Sequence, residues 1–189
     1  MDSKKNKKRV QERPETETNE LYDWIQCLIV ALIVCVVIFS FCFRVIDVRG
    51  TSMNPTLANG DKMLVSRLFF SPHVGDIVVF KKDEYDPNKA LVKRIIAVEG
   101  QEVNMDFENG IVYIDGVPFE EDYILEPTMT KLDFIGPKKV PEGCVFVMGD
   151  NRNASYDSRL KTIGMVDSRL ILGKVYYVIY PLHELRSVS

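Results

Sequence analysis

The chain has 189 residues, of which 46% are hydrophobic and 27% charged, and its formal net charge is −3. This length predicts one domain with short appendages. The weakly acidic balance lacks the basic stripe that nucleic-acid-binding proteins carry, so we expect no nucleic-acid partner.

The N-terminal part is divided into a charged segment and an apolar one. Residues 1–22 are polar and rich in charge, whereas residues 24–43 (WIQCLIVALIVCVVIFSFCF) contain no charged residue. Twenty helical residues rise about 30 Å, which is enough to cross the hydrocarbon core of a bilayer. We therefore predict a single transmembrane helix over residues 23–43, with the lipid bilayer as its partner.

Basic residues are unevenly distributed around this helix. The nearest ones after it are Arg44 and Arg49, whereas the tail before it carries Lys4, Lys5, Lys7, Lys8, Arg9 and Arg13. Since basic flanks stay on the cytoplasmic side, we predict a single-pass protein of the cell membrane. Its tail, residues 1–22, is cytoplasmic, and its main domain, residues 44–189, is extracytoplasmic.

Two other interpretations of the apolar segment are weaker. A cleaved secretory signal peptide has an apolar run of about 7–15 residues and a small-residue cleavage site. This run is longer, and the sequence SFCFR at its end (residues 40–44) is a poor site. A buried core helix is disfavoured because the segment is apolar on every face.

Cysteine usage gives the outer region neither a disulfide nor a metal site. Three of the four cysteines, Cys27, Cys35 and Cys42, lie in the apolar segment, which leaves Cys144 alone beyond it. No spacing typical of metal ligands is present. We expect no metal and no cofactor, and we interpret Cys144 as a buried strand residue.

Beyond Phe43 the sequence consists of short apolar runs separated by turn residues, a pattern typical of strands. Asp115-Gly116 stands between two such runs and predicts a hairpin. Helical periodicity appears only weakly, around residues 62–69. The sequence thus predicts one mostly β domain behind a single N-terminal helix.

Phe69 and Phe70 stand just before the turn formers Ser71 and Pro72. Paired phenylalanines beside a turn are interpreted first as core residues. The alternative is that they dip into the lipid surface next to the transmembrane helix.

The sequence offers a lysine rather than a histidine as the base for a serine nucleophile. A Ser-His-Asp triad needs a histidine held by a carboxylate, and neither His73 nor His183 has such surroundings. A lysine acts as a base near neutral pH only when desolvation lowers its pKa. Lys93 is the candidate, because it stands in the apolar run LVKRIIAV.

Lys93 and Arg94 are adjacent cations inside a predicted strand. Strict alternation places Lys93 on the same face as Ile95 and Ala97. An edge strand that uses charge to block aggregation would explain both cations. The alternative is a desolvated lysine beside an arginine with a carboxylate partner.

Such carboxylates are present in the polar loop MGDNRNASYDSR, which contains Asp150 and Asp157. The loop also has a simpler interpretation as a turn whose polar side chains hydrogen-bond to its own backbone.

Four sequence blocks follow the apolar segment in a fixed order. They are GTSMNPTL (50–57), GDIVVF (75–80), LVKRIIAVEG (91–100) and GDNRNASYDSR (149–159). In this combination the chain resembles the type I signal peptidases, membrane-anchored Ser/Lys proteases that remove signal peptides from exported proteins. The resemblance covers nearly the whole chain and implies the family's compact β-barrel-like catalytic domain behind one transmembrane helix.

The resemblance assigns roles to the residues that match the family's motifs. Ser52 resembles the nucleophile and Lys93 the general base. The supporting residues are Arg94 as a structural cation, Asp150 as its carboxylate partner, Ser155 as a serine that orients the lysine, and Asp157 with Arg159 as a bracing ion pair. Met53 is placed to line the pocket for the small residue before the scissile bond, and Val48 and Val92 are candidates for the same wall.

The implied activity is cleavage of the signal peptides of secreted preproteins after small residues, through an acyl-enzyme. The substrate would pair as an added strand at residues 46–49 or 90–93.

Two departures from the family are visible. Gly50 stands where some members carry a serine whose hydroxyl donates to the oxyanion. The backbone N–H of Ser52 is therefore expected to supply more of the stabilisation of the oxyanion. Asn153 and Ala154 stand where the family often shows Asp-Asn.

Two other functions are weighed against this one. A membrane-anchored β domain that binds exported chains without cutting them would keep the groove but need neither Ser52 nor Lys93. A self-cleaving regulatory protease with the same chemistry would lack the membrane helix and carry a DNA-binding module, for which the sequence shows no counterpart.

Overall fold

The computed structural model describes residues 15–188, with side chains from Glu20 onward. The predicted basic cluster of the cytoplasmic tail, residues 4–13, lies outside the described residues. The chain divides into two units, Met1–Phe41 and Cys42–Ser189.

The first unit is helical, and its helix α1 (Glu15–Cys42) is apolar over most of its length. The stretch Glu20–Cys42 has a mean hydropathy of 2.9, and none of its most apolar part is buried. This excludes the core-helix interpretation, while length and composition suffice to cross a bilayer. The helix ends one residue before the predicted span does, because Phe43 begins the first strand.

The second unit is made of short strands and three single-turn 3-10 helices, as the mostly β prediction requires. The 3-10 helices are Arg152–Ala154, Ser168–Leu170 and Leu182–Glu184. The strands are β1 (Phe43–Asp47), β2 (Lys62–Ser66), β3 (Ile77–Lys81), β4 (Ala90–Val98), β5 (Glu102–Asp106), β6 (Ile111–Ile114), β7 (Val117–Pro118), β8 (Lys138–Lys139), β9 (Cys144–Met148), β10 (Val166–Asp167), β11 (Ile171–Tyr180) and β12 (Arg186–Ser187).

These strands form two antiparallel sheets. The larger has the order β1-β2-β11-β3-β4-β9-β10, with β12 paired to β11, and the smaller has the order β7-β6-β5-β8. Within residues 15–188 the end strands β1 and β10 do not pair with each other, so the larger sheet stays open. The mostly β fold class is confirmed, without a closed barrel.

Local sequence signals identified most of the strands correctly. Asp115 and Gly116 join β6 to β7 with φ values of 51° and 78°, as the favoured two-residue hairpin turn requires. The helical periodicity around residues 62–69 is misleading, because residues 62–66 form β2 between two partner strands. Cys144 opens β9 and is half-buried rather than buried.

Strand β4 contributes to all three hydrophobic clusters of the second unit. The register between β4 and β9 shifts between Ile95 and Ala97, and such a bulge breaks strict alternation. Ala97 therefore packs with Ile96 in the third cluster, while Ile95 lies in the second. The predicted shared face of Lys93 and Ala97 is wrong for this reason.

The two phenylalanines before the turn formers Ser71 and Pro72 are divided between core and solvent. Phe70 packs against the second hydrophobic cluster, whereas Phe69 is 97% exposed. The prediction that these phenylalanines are core residues is therefore right for Phe70 and wrong for Phe69.

Candidate active site

The Ser52 hydroxyl and the Lys93 amine meet although 41 residues separate them in the chain. Lys93 Nζ lies 2.6 Å from Ser52 Oγ, a hydrogen-bond distance. Ser52 is half-buried in the turn between β1 and β2, and Lys93 is only 3% exposed in β4. The sheet thus brings a serine nucleophile against a desolvated amine.

The environment of Lys93 favours its neutral form. Lys93 lies opposite Val78 of β3, and its burial excludes the interpretation as an edge charge. Burial lowers the pKa of the amine from 10.5 to about 8, against the opposing attraction of Asp157 and Asp150, and the charge of Lys89 adds to the lowering. An amine with this pKa can accept a proton near neutral pH.

Arg94, the next residue of β4, has the carboxylate partner that Lys93 lacks. Its Nε and Nη2 donate to the two oxygens of Asp150 at 2.9 and 2.7 Å, in the bidentate geometry typical of strong arginine–carboxylate pairs. Its Nη1 donates to the Gly75 carbonyl at 3.0 Å, and the guanidinium stacks 3.9 Å from the Tyr123 ring centre. Thr56 donates to the same carboxylate at 2.5 Å, which ties Arg94 to the turn that carries Ser52.

A second buried arginine, Arg159, forms an ion pair with Asp157. Arg159 Nε and Nη2 each lie 2.9 Å from an oxygen of Asp157, and both side chains are fully buried. Asp157 also accepts from the backbone N–H of Gly149 at 3.1 Å. Both carboxylates near Lys93 are therefore engaged by arginines, and among the residues described Lys93 forms no ion pair of its own.

Ser155 lies in the same loop, and its side chain is buried. In the described part of the chain, its Oγ is the buried side-chain oxygen without a hydrogen-bond partner. A Cβ atom on Gly149 would overlap this Oγ and the Ser52 carbonyl, so the loop passes directly against the nucleophile turn. The orientation of Lys93 by Ser155 stays a prediction.

A groove with a volume of about 580 Å³ runs past Ser52 and Lys93. Its lining includes the three predicted substrate-binding residues, Val48, Met53 and Val92. Val48 and Met53 are buried members of the first cluster, and Val92 packs against it. The structure thus places all three beside the Ser52–Lys93 pair.

Two backbone edges flank this groove. Within the described part of the chain, strand β1 pairs with β2 alone. Residues 90–93 pair with β3 on one side, whereas the pairing of β4 with β9 begins only at Arg94. Both segments that were predicted to receive an added strand therefore keep one edge open.

Neither histidine belongs to the site. His73 and His183 are both exposed, and their nearest carboxylates are Asp76 at 3.8 Å and Glu184 at 3.6 Å. Neither lines the groove. Among residues 15–188 no group of three or more histidine, cysteine or acidic residues is placed to hold a metal ion.

Sequence reasoning missed two residues that hold the nucleophile turn. The backbone N–H of Asn151 donates to the Ser52 carbonyl, and its side-chain amide donates to the Thr51 carbonyl, both at 3.1 Å. Arg186 donates to the Thr56 carbonyl at 3.0 Å. Asn151 stands in a recognised block, but the local sequence around Arg186 carries no signal of this contact.

Comparison with known proteins identifies the family of the chain. Residues 21–180 match the family model described as signal peptidase, peptidase S26. A signal peptidase I from Bacillus licheniformis is 37% identical, over 95% of this chain and 99% of its own length. A probable signal peptidase I from Synechocystis is 40% identical, over 83% of this chain and 81% of its own. A signal peptidase I from Enterococcus faecalis of known crystal structure is 29% identical, with a TM-score of 0.47 over 56% of this chain and 97% of its own.

The lowered pKa of Lys93 predicts that this residue destabilises the folded state below pH 8. The unfolded chain, with a lysine pKa of 10.5, binds more protons than the folded chain between pH 8 and 10.5, so stability rises with pH in that window. The full cost of protonation below pH 8 is about 3 kcal/mol. Lys93→Met should therefore be more stable than the wild type at pH 7, and this gain should shrink at pH 10.

Urea unfolding of both proteins in detergent micelles at the two pH values measures this difference. Lys139→Met, which removes an exposed amine, is the matched control. Equal behaviour of the two variants would contradict the prediction.

Proposed function

The chain belongs to the signal peptidase family, peptidase S26, and is a serine peptidase; on this premise we propose that it removes signal peptides from exported preproteins by cutting after small residues. The observation that carries the proposal is the 2.6 Å contact between Ser52 Oγ and the buried Lys93 amine. A protein that only bound exported chains would gain nothing from burying an unpaired amine against a serine, since burial of such a group is costly.

Acylation starts with proton transfer within this pair. Neutral Lys93 Nζ takes the proton from Ser52 Oγ, and the oxygen attacks the carbonyl carbon of the residue before the scissile bond. The tetrahedral intermediate collapses when Lys93 returns the proton to the leaving amine. The product is an ester between Ser52 and the signal peptide.

The negative charge of the tetrahedral intermediate needs preorganised donors. The backbone N–H of Ser52 donates to no acceptor among the residues described, so it is available for this role. Gly50 has no side-chain donor, and its own N–H is engaged by Asn59 at 2.9 Å. Deacylation then uses the same amine, because Lys93 is free to deprotonate a water molecule that attacks the ester.

The substrate segment lies extended in the groove. The open edges of β1 and of residues 90–93 offer backbone groups to an added strand. Val48, Met53 and Val92 provide apolar walls next to Ser52. Since Val48 and Met53 are packed in the core, they leave a shallow pocket that accepts small side chains and rejects large ones.

The helix α1 anchors the enzyme in the cell membrane. Its apolar stretch supports a single bilayer crossing, and the basic residues that precede it support a cytoplasmic tail over residues 1–22. The catalytic domain, residues 44–189, then lies outside, where the apolar segments of exported preproteins emerge. Signal peptides and the bilayer are thus the two partners of the chain.

The proposed mechanism predicts that Ser52 and Lys93 are both indispensable for cleavage. Ser52→Ala removes the nucleophilic oxygen and Lys93→Ala removes the base, so each should lower the rate of preprotein cleavage by a factor on the order of 10³ or more. Cleavage of a preprotein by purified variants in detergent, followed by gel electrophoresis, measures this loss. Circular dichroism checks that each variant is folded.

His73→Ala and His183→Ala are the matched controls and should keep wild-type activity, because both side chains are exposed and neither lines the groove. Substantial turnover by Lys93→Ala would refute the role of Lys93 as the base for Ser52.

The pH dependence of cleavage should report the pKa of Lys93. Only the neutral amine accepts a proton, so kcat/KM should rise with pH through a midpoint of about 8 and then level off. Initial rates on a signal-peptide substrate from pH 6 to pH 10 give the profile. A plateau already reached at pH 7 would show that another group is the base.

A further inference from the structure

The groove beside Ser52 and Lys93 carries two aromatic rings that the mechanism above does not use. Tyr85 and Tyr156 both line this groove, and their ring centres lie 6.5 Å apart with the ring planes tilted by 50°. We call these two residues the tyrosine pair. Aromatic side chains in a binding groove are typical of a surface that contacts the ligand.

Tyr156 projects from a loop in which the residues on either side of it are buried. Ser155 and Asp157 are 5% and 0% exposed, whereas Tyr156 is 59% exposed. A Cβ atom on Gly149 would lie 2.3 Å from Ser155 Oγ and 2.4 Å from the Ser52 carbonyl oxygen, so Ser155 lies directly beside the nucleophile turn. The buried neighbours therefore hold the exposed ring of Tyr156 next to the site of cleavage.

Tyr85 reaches the groove from the connection between β3 and β4. The backbone N–H groups of Tyr85 and Asp86 both donate to the Lys82 carbonyl at 3.0 Å, and this turn fixes the position of Tyr85. Its half-buried ring packs against the second hydrophobic cluster, to which Leu91 of β4 belongs. The ring therefore lies on the same side of β4 as Leu91.

Strand β4 separates the two sides of the groove. Val92 packs against the first hydrophobic cluster, which contains Val48 and Met53, whereas Leu91 belongs to the second cluster. A substrate strand added at the open edge of β4 would follow the same alternation, because side chains of neighbouring strands point to the same two faces of a sheet. If the residue before the scissile bond faces the pocket, the residue before that one faces the tyrosine pair.

The chemistry of this face favours a large apolar side chain. Tyrosine rings stack with aromatic groups and bury apolar ones. A cationic side chain also stacks on tyrosine, but the exposed Lys89 lines the same groove and repels a second positive charge. A small side chain would leave the rings without a contact.

We propose that Tyr85 and Tyr156 form an aromatic subsite for the second residue before the scissile bond, and that this subsite favours large apolar side chains over small or cationic ones. The pocket for small residues and the aromatic subsite lie on opposite faces of the bound substrate strand. The inference rests on the proposed cleavage of signal peptides and adds to it a preference at a position that the pocket does not contact.

A comparison of two substrates tests the subsite on the full chain in detergent micelles. The two signal-peptide substrates differ only in the second residue before the scissile bond, which is phenylalanine in one and serine in the other. The ratio of their kcat/KM values is measured for each enzyme. Because both values come from the same enzyme, a change in the base or in the nucleophile cancels from this ratio.

The variants separate the exposed ring from the rest of the groove. Tyr156→Ser removes the ring, and Tyr156→Phe keeps it without the hydroxyl. Tyr177→Ser is the matched control, because Tyr177 is 50% exposed but does not line the groove. Circular dichroism checks that each variant is folded.

The subsite predicts that the wild type, Tyr156→Phe and Tyr177→Ser prefer the phenylalanine substrate by about threefold to tenfold, and that Tyr156→Ser loses most of this preference. A preference that survives Tyr156→Ser would overturn the subsite, as would equal cleavage of the two substrates by the wild type, and both results leave the proposed function intact. A wild type that cleaves neither substrate would refute the proposed function and the subsite with it.

The exclusion of cations is tested with a third substrate that carries lysine at the same position. The wild type should cleave it more slowly than the phenylalanine substrate. Lys89→Gln should raise the kcat/KM of the lysine substrate relative to that of the serine substrate, because the variant removes the repelling charge. An unchanged ratio would overturn the role of Lys89 in this selection.

Discussion

The site depends on an amine that is buried without a counter-ion. Two carboxylates, Asp150 and Asp157, are close enough to Lys93 to raise the pKa of its amine. Each of them is held by a bidentate arginine, and among the residues described neither forms an ion pair with Lys93. The arginine–carboxylate pairs thus do more than brace the loop, because they leave desolvation as the largest influence on the pKa of the amine, which falls to about 8.

The nucleophile turn is held from three sides, and this explains how Oγ stays within 2.6 Å of the amine. Thr56 binds Asp150, Asn151 binds the carbonyls of Thr51 and Ser52, and Arg186 reaches from the last strand to the carbonyl of Thr56. The first two contacts come from the same loop that supplies the counter-ions of Arg94 and Arg159. One loop therefore sets both the electrostatics of the base and the position of the nucleophile.

The sequence was sufficient for the family and for most strands, because both leave short, local patterns. An apolar run interrupted by Lys93-Arg94 and a turn at Asp115-Gly116 are readable without knowledge of the partners. The bulge at Ile95–Ala97 was not, since it arises from pairing with β9. The contact of Arg186 with the nucleophile turn and the exposure of Phe69 were equally hidden, because each depends on which distant segment lies alongside.

Direct titration of the Lys93 amine by NMR, in protein labelled at the lysine side chains, measures the property on which the mechanism depends. Comparison with the spectrum of Lys93→Met assigns the signal to this residue. The account predicts a midpoint of about 8. A midpoint near 10.5, the value of an ordinary lysine, would mean that burial does not lower the pKa of the amine and would contradict its role as the base.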